Sequence, residues 1–170
     1  MIDVRQIRDG EWERLRNIRL QALADTPSAF ATTLAQAQAF PDNLWQERAI
    51  AGAAGVDQIT VLAVSGERTI GMTIALGRPN SDHRIVPIVS VFVTPSERRK
   101  GVAGRLLGIA QAWARDQGGS RTSLWVEEEN VPARSFYESI GYVATLDRQK
   151  MTSPPPAWEI RLEKVLTAAG

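Results

Sequence analysis

The sequence predicts a mixed α/β fold in which one domain spans residues 1–170, and three observations support this. Strand-like apolar runs alternate with stretches of helical periodicity along the chain. Residues 59–76 have the pattern of an antiparallel hairpin, whereas the strands at 85–93 and 122–126 flank a helix and therefore require a parallel crossover. The 170 residues are 44% hydrophobic, which is enough for one substantial core.

Local patterns predict each element. Alternating apolar residues indicate the first and last strands, and apolar residues spaced by three or four indicate the helices. Pro27 interrupts the first helix, Pro41 opens the second, and a loop at 52–55 is expected to follow it. Residues 26–40 carry only a weak pattern, and 147–156 reads as a proline-rich loop. The predicted strands are 2–7, 59–64, 69–76, 85–93, 122–126, 142–146 and 158–162, and the predicted helices are 12–23, 42–50, 102–117 and 131–140, the third ending at the Gly118-Gly119 cap.

The composition argues against several classes of partner and site. The formal net charge is +1 and the longest basic tract is 98–100, so we expect no nucleic-acid partner. The chain has no cysteine, and its one histidine, His83, falls in a loop where a solvated surface role is expected, so we predict no metal site. The N-terminus resembles no signal peptide and no window reaches membrane length, so a cytoplasmic protein is expected.

The stretch 91–107 combines the end of a strand, a polar turn and the start of a helix. Gly101 and Gly104 lie where the helix would begin, and glycine allows another group to approach the backbone closely. The first amides of a helix have no intrahelical partner and carry the positive end of its dipole, so they form an anion site that would suit a pyrophosphate. The cationic residues around this site are Arg98, Arg99, Lys100 and Arg105.

Two motifs connect this turn to a known family. Neither G-x-x-x-x-G-K-[ST] nor G-x-G-x-x-G occurs, but residues 98–103 read R-x-x-G-x-A, and residues 124–142 read L-x-V-x-x-x-N-x-x-A-x-x-F-Y-x-x-x-G-Y. Both motifs resemble those of the GNAT superfamily of acyl-CoA-dependent N-acetyltransferases, [QR]-x-x-G-x-[GA] and L-x-V-x-x-x-N-x-x-A-x-x-[FL]-Y-x-x-x-G-[FY]. The first motif alone could be a basic, solvated helix start, whereas the second matches at every named position.

The resemblance implies a fold, a co-substrate and a binding site. It implies the GNAT fold, with a central mixed sheet of six to seven strands flanked by helices on both faces, and acetyl-CoA as acyl donor without a metal. In the family the two central strands splay apart and the pantetheine arm of CoA lies between them. The residues that the resemblance assigns to CoA are Phe92, Val93, Arg98, Arg99, Lys100, Gly101, Val102, Ala103, Gly104, Arg105 and Asn130.

The catalytic groups are less fully determined. In the family a tyrosine at the position of Tyr137 protonates the leaving thiolate, and a phenol with a pKa near 10 can do so at neutral pH. Tyr137 could instead be a core aromatic, and Asn130 could cap a helix, bind CoA, or do both. The central strand offers no carboxylate as general base, which leaves Glu127 or another member of the acidic run 127–129, or a water chain. An amide near Phe92 or Val93 is the family's oxyanion donor.

The resemblance implies transfer of acetyl from acetyl-CoA to a primary amine by direct attack in a ternary complex. A small-molecule amine is the leading acceptor, and residues 26–40 and 147–156 are expected to border its site. A protein N-terminus or lysine is the alternative, and a non-catalytic acyl-CoA sensor is the alternative of another class. A homodimer is possible.

Overall fold

The computed structural model describes residues 1–77, 84–151 and 156–167, so His83 lies outside the described residues. The strands are β1 Asp3–Gln6, β2 Gln58–Ser65, β3 Arg68–Leu76, β4 Ile85–Val93, β5 Arg121–Glu127, β6 Val143–Lys150 and β7 Trp158–Val165. The helices are α1 Trp12–Asp25, α2 Leu34–Gln38, α3 Asp42–Ala54, α4 Val102–Asp116 and α5 Val131–Ser139, and short 3-10 helices form at Pro27–Ala29 and Pro95–Glu97.

The seven strands form one mixed sheet in the order β1-β2-β3-β4-β5-β7-β6. Every neighbouring pair is antiparallel except β4 and β5, which are parallel, as the crossover through α4 requires. The predicted mixed sheet of six to seven strands is therefore confirmed.

Helices cover both faces of this sheet, because alternate residues of a strand point to opposite faces. In β2, Leu62 and Val64 pack with α1 and α3 in one hydrophobic cluster. Their neighbours Val61 and Ala63 pack in a second cluster that contains α4. Within the described residues, no helix combines the length and apolarity needed to cross a membrane.

The loop predicted at 52–55 is wrong, because α3 continues to Ala54 and ends at Gly55, which has a left-handed φ of 64°. Gly52 does not break the helix. It lies so close to β2 that a Cβ built there would be 2.3 Å from Oγ1 of Thr60. Glycine is therefore required here for helix-to-sheet contact.

The segment 26–40 and the strand β6 are more regular than the sequence indicates. Thr33 and Gln36 form a capping box that starts α2, with each side chain accepting from the other residue's amide. The strand predicted at 142–146 begins one residue later and continues to Lys150, so the loop predicted from 147 onward is wrong for its first four positions. A register shift between Ala144 and Arg148 accounts for the weak alternation in the sequence.

The point that positions the site is the divergence of β4 and β5. Their parallel pairing covers Ile85 to Pro87 on β4 and Arg121 to Ser123 on β5, and no pair follows. β4 remains paired with β3 on its other side, and β5 remains paired with β7. The two strands therefore separate after three residue pairs and leave a gap at the centre of the sheet.

Candidate active site

A cavity of about 570 Å³ occupies the gap between the separated ends of β4 and β5. Its wall includes residues 88–93 of β4 and 124–127 of β5, the turn that begins α4, and one side of α5. Thr26, Ala29 and Phe30, which belong to the stretch 26–40 predicted to border the acceptor site, also line it. A cleft of this size can hold the reactive end of a cofactor together with a small acceptor.

The turn that begins α4 exposes its backbone to this cavity. Arg99 and Gly101 have left-handed φ angles of 63° and 79°, and α4 starts at Val102. A Cβ built on Gly101 or Gly104 would meet no atom within 4 Å, and both glycines line the cavity. Open space beside the first amides of a helix is what an anionic ligand needs, so these residues fit a pyrophosphate.

The predicted cations around this turn differ in their surroundings. Arg98 donates from Nε to the carbonyl of Val93 at 2.9 Å and from Nη2 to Asp25 at 2.5 Å, so it joins the end of α1 to the end of β4. Arg99 lines the cavity and is exposed. Lys100 pairs with Glu97 at 3.0 Å and does not line the cavity.

Arg105 also lies outside the cavity wall and donates to the carbonyl of Ile2 at 3.0 Å. The remaining residues predicted for CoA all line the cavity: Phe92, Val93, Arg98, Arg99, Gly101, Val102, Ala103, Gly104 and Asn130. Roles for Lys100 and Arg105 in CoA binding stay predictions.

The second motif places Asn130 and Tyr137 at the same cavity. The Asn130 side chain accepts from the amide of Ala133 at 3.2 Å and caps α5, and Pro132 occupies the first turn. Tyr137 lies near the end of α5, where its ring packs against Tyr142 at 5.8 Å between centroids in an edge-to-face contact. Both Asn130 and Tyr137 line the cavity.

The two tyrosines of this contact have different hydroxyl environments. The Tyr142 hydroxyl accepts from Gln111 at 3.2 Å and shares a hydrogen bond of 2.9 Å with Thr122. No described residue hydrogen-bonds the Tyr137 hydroxyl, although burial, and secondarily Tyr142, raise the pKa of this phenol above its ordinary value. Tyr137 therefore remains protonated at neutral pH and has its proton available.

Two carboxylates lie where β5 and β7 meet at the cavity. Glu127 at the end of β5 is directly opposite Glu159 on β7, and both line the cavity. Glu127 has one buried carboxylate oxygen, Oε1, without a hydrogen-bond partner, and Glu159 is 7% exposed and accepts from Gln149 at 2.9 Å. Of the other two glutamates in the acidic run, Glu128 pairs with Arg148 at 2.6 Å, and neither lines the cavity.

Strand alternation places these carboxylates across the sheet from Tyr137. Leu124 and Val126 pack with Tyr137 in one hydrophobic cluster, so Glu127 points to the opposite face. Groups on both faces of the sheet thus border a single gap. A reacting atom in the gap could be approached by an acid from one side and a base from the other.

A bulge in β4 shapes the opposite wall. Between the pairs Met72 with Phe92 and Ile74 with Val89, β4 contains one residue more than β3, and Ser90 has a left-handed φ of 58°. The Thr73 hydroxyl donates to the carbonyl of Val89 at 3.2 Å and holds the bulge from the β3 side. Phe92 and Val93 lie just beyond it and line the cavity.

Glu159 and Ser90 line the cavity but carry no local sequence signal of a site residue. Glu159 lies in an alternating strand, where a charged residue ordinarily points to solvent. Its register opposite Glu127 is the only signal, and it appears once the sheet order is known. Within the described ranges 1–77, 84–151 and 156–167, no group of three or more potential histidine, cysteine or carboxylate metal ligands occurs.

Comparison with known proteins establishes the family. Residues 12–142 match the model of the acetyltransferase (GNAT) family, so the chain belongs to that family. It is 42% identical over 59 residues to the uncharacterized N-acetyltransferase YhfO of Bacillus subtilis, a match covering 35% of this chain and 40% of that protein. It is 31% identical over 86 residues to human N-acetyltransferase 8, covering 49% of this chain and 38% of the relative. The chain thus spans about two fifths of the length of each.

Solved structures confirm the GNAT fold. A GNAT-family acetyltransferase from Streptococcus pneumoniae superposes with a TM-score of 0.81 at 17% identity, over 98% of this chain and 100% of that one. PaiA N-acetyltransferase from Thermoplasma acidophilum, solved with coenzyme A, gives 0.73 at 15% identity over 97% and 99%. An Escherichia coli N-acetyltransferase for an alanine of a ribosomal protein gives 0.68 at 14% identity over 100% and 97%.

Proposed function

We propose that this protein transfers the acetyl group of acetyl-CoA to the primary amine of a small molecule, by direct attack within a ternary complex. The observation that carries the proposal is the cavity between β4 and β5, which brings the open backbone of Gly101 and Gly104 together with Tyr137 and Glu127. Acetyl-CoA supplies an activated thioester carbonyl, and the amine supplies the nucleophile.

The residues at the start of α4 would hold acetyl-CoA. The amides from Gly101 to Gly104 would bind its pyrophosphate, with Arg99 beside them. Arg98 would act differently from a direct phosphate ligand, because both its Nε and its Nη2 are already committed to Val93 and Asp25. Its proposed part is to fix the turn between β4 and α4.

The proton transfers are assigned to groups on the two faces of the sheet. Glu127 would take a proton from the bound ammonium to give the neutral amine. As the N–C bond then forms and the C–S bond breaks, the second surplus proton of the nitrogen would leave to solvent and Tyr137 would give its proton to the departing sulfur. Glu127 suits this part because its Oε1 is buried and unpaired beside the cavity. The backbone amide of Val93 would stabilise charge on the carbonyl oxygen, because amides alternate along a strand and those of Thr94 and Phe92 face β3.

Glu159 would assist by binding the acceptor before its deprotonation. An amine reaches the enzyme as an ammonium ion, and two carboxylates facing each other at the cavity attract that cation. The small-molecule acceptor is favoured because Thr26, Ala29 and Phe30, and Glu159 of β7, border the cavity, whose volume of about 570 Å³ suits a small acceptor. A protein N-terminus is the alternative acceptor.

Three further properties stay predictions from the sequence: a homodimer, a single domain over 1–170 and a cytoplasmic location.

The proposal is tested by following thiol release from acetyl-CoA in the presence of pooled small amines and, separately, pooled peptides. We expect release with the small amines and a much lower rate for Glu127→Gln, at unchanged acetyl-CoA affinity. Thiol release with the peptides alone would show that the acceptor is a protein or peptide amine and not a small molecule. Tight acetyl-CoA binding without release for any pool would favour the sensor.

A further inference from the structure

A partly buried arginine, Arg19, contacts the wall of the cavity without being one of its lining residues. From α1 its Nη1 donates to Oγ of Ser90 at 2.5 Å, and its guanidinium carbon lies 4.5 Å from the centre of the Phe30 ring. Ser90 and Phe30 both line the cavity. The guanidinium is thus in contact with two residues that line the cavity.

No acid among residues 1–77, 84–151 and 156–167 compensates the charge of this arginine. In the described part of the chain no carboxylate lies within ion-pair distance of Arg19, in contrast to Arg5 and Arg98, which both pair with acids. Burial, and next the charge of Arg48, lower the pKa of Arg19 to about 10, so it remains a cation at neutral pH. A desolvated cation without a counter-ion is costly, and an anionic ligand would remove that cost.

Arg48 adds a second uncompensated cation to the same region. It projects from α3, and its guanidinium carbon lies 5.0 Å from the ring centre of Phe40 and 5.4 Å from that of Trp45. No acidic partner for it occurs among the described residues. Two arginines that contact aromatic rings and pair with no described carboxylate form an arrangement suited to binding the carboxylate of a ligand.

We infer that Arg19, supported by the charge of Arg48, binds a carboxylate on the acceptor, so that the acceptor is a small amine that also carries an acid group, such as an amino acid. The inference rests on the proposed function. It also fits the distribution of charge, because Glu127 and Glu159 would attract the ammonium of such a zwitterion while Arg19 attracts its anion.

Arg19 could instead serve only to hold Ser90 in its left-handed conformation and so to shape the bulge. The two roles differ in their dependence on the acceptor. A support for the bulge affects all acceptors equally, whereas an anion-binding residue affects only those that carry the acid group.

The test compares acetylation of each amino acid with that of its α-amide, which keeps the amine and removes the negative charge. The wild type should prefer the acid in kcat/KM, and Arg19→Gln should lose roughly tenfold to a hundredfold on the acid with little change on the amide. Arg48→Gln should produce a smaller loss of the same kind. Arg14→Gln, on the same helix but bonded to the carbonyl of Glu67, serves as the matched control and should change neither rate.

Binding of reaction products provides a second measurement that does not depend on turnover. Calorimetry with CoA present should show N-acetyl amino acids binding the wild type more tightly than their amides, and Arg19→Gln should abolish the difference. Equal losses on acid and amide, or a wild type that favours the amide in both measurements, would overturn the inference. Failure of acetyl-CoA to bind would instead reject the proposed function.

Discussion

At the scale of single residues, two tyrosines in contact are expected to have different roles, one in the reaction and the other in the stability of the fold. Tyr142 is 2% exposed and its hydroxyl is hydrogen-bonded to Gln111 and Thr122. Tyr137 lines the cavity, and its hydroxyl has no hydrogen-bond partner in the described chain. Tyr137→Phe should therefore lower kcat by about a hundredfold or more, with acetyl-CoA affinity and melting temperature nearly unchanged. Steady-state kinetics and thermal unfolding measure both.

Tyr142→Phe is the matched control for that experiment. It removes the same atom from the other ring of the pair and leaves buried hydrogen-bonding groups unpaired. It should lower the free energy of unfolding by about 1 to 2 kcal/mol and leave kcat within a few fold of wild type. A Tyr137→Phe variant that loses stability and retains turnover would show that Tyr137 is only a core aromatic.

Part of this site could be predicted from sequence motifs alone. Gly101, Asn130 and Tyr137 belong to motifs in which each has a physical task, and all three line the cavity. Glu159, Arg19 and Ser90 carry no local signal, because their placement depends on which strand or helix lies beside them. The sequence also gave no indication that Arg98 is committed to Asp25, which is 73 positions away.

At the scale of elements, helix α4 carries two glycines that should respond differently to the same substitution. Gly104 lines the cavity and Gly108 does not, while a Cβ on either would meet no atom within 4 Å. Replacing either by leucine should add about 0.5 to 1 kcal/mol of stability, because glycine is unfavourable inside a helix. Gly104→Leu should also weaken acetyl-CoA binding at least tenfold, whereas Gly108→Leu should not.

Calorimetric titration of both variants with acetyl-CoA gives the comparison. Equal affinities for the two variants would mean that no ligand approaches α4 at Gly104. That result would remove the start of α4 from the acetyl-CoA site even if the protein bound acetyl-CoA elsewhere.

Elements were predictable where one periodicity dominates, and less so elsewhere. The central unit of β4, turn and α4 was predicted nearly to its ends, because a continuous apolar run and an amphipathic helix are both long there. The end of α3 was missed because Gly52 is helical for a packing reason that involves Thr60. Residues 147–150 of β6 were missed because a register shift disturbs the alternation.

At the scale of the whole molecule, one ion pair should make stability depend on pH. Arg5 on β1 holds Glu11, which precedes α1, through bonds of 2.9 and 2.7 Å, and the amide of Arg8 donates to the same carboxylate at 2.8 Å. These contacts, led by the hydrogen bond from Arg5, lower the pKa of Glu11 from 4.5 to about 2. The carboxylate therefore stabilises the fold while it remains charged.

The expected stability effect has a defined pH window. The contribution is complete above the unfolded pKa near 4.5 and disappears as the pH falls toward 2. Glu11→Gln should cost roughly 1 to 2 kcal/mol at pH 7 after allowance for solvent screening, and almost nothing near pH 2. The exposed Glu13→Gln variant on the same helix is the control. A Glu11→Gln cost that does not change with pH, measured by denaturant unfolding, would contradict this assignment.

The arrangement of the sheet as a whole is what creates the site. The parallel pairing of β4 and β5 followed from the crossover rule, but their separation after three pairs was implied only by family resemblance. The strand propensities of the residues predict where a strand forms, but they do not predict where two neighbouring strands separate. The separation of β4 and β5 involves the bulge at Ser90 and the pairing of β5 with β7.

Whether the gap between β4 and β5 binds acetyl-CoA is measured by calorimetric titration of the full chain with acetyl-CoA, supported by the shift in melting temperature that binding must cause. We expect saturable binding with one acetyl-CoA per chain and a higher melting temperature in its presence. No heat and no change in melting temperature at millimolar acetyl-CoA would contradict the claim that the gap between β4 and β5 is an acetyl-CoA site.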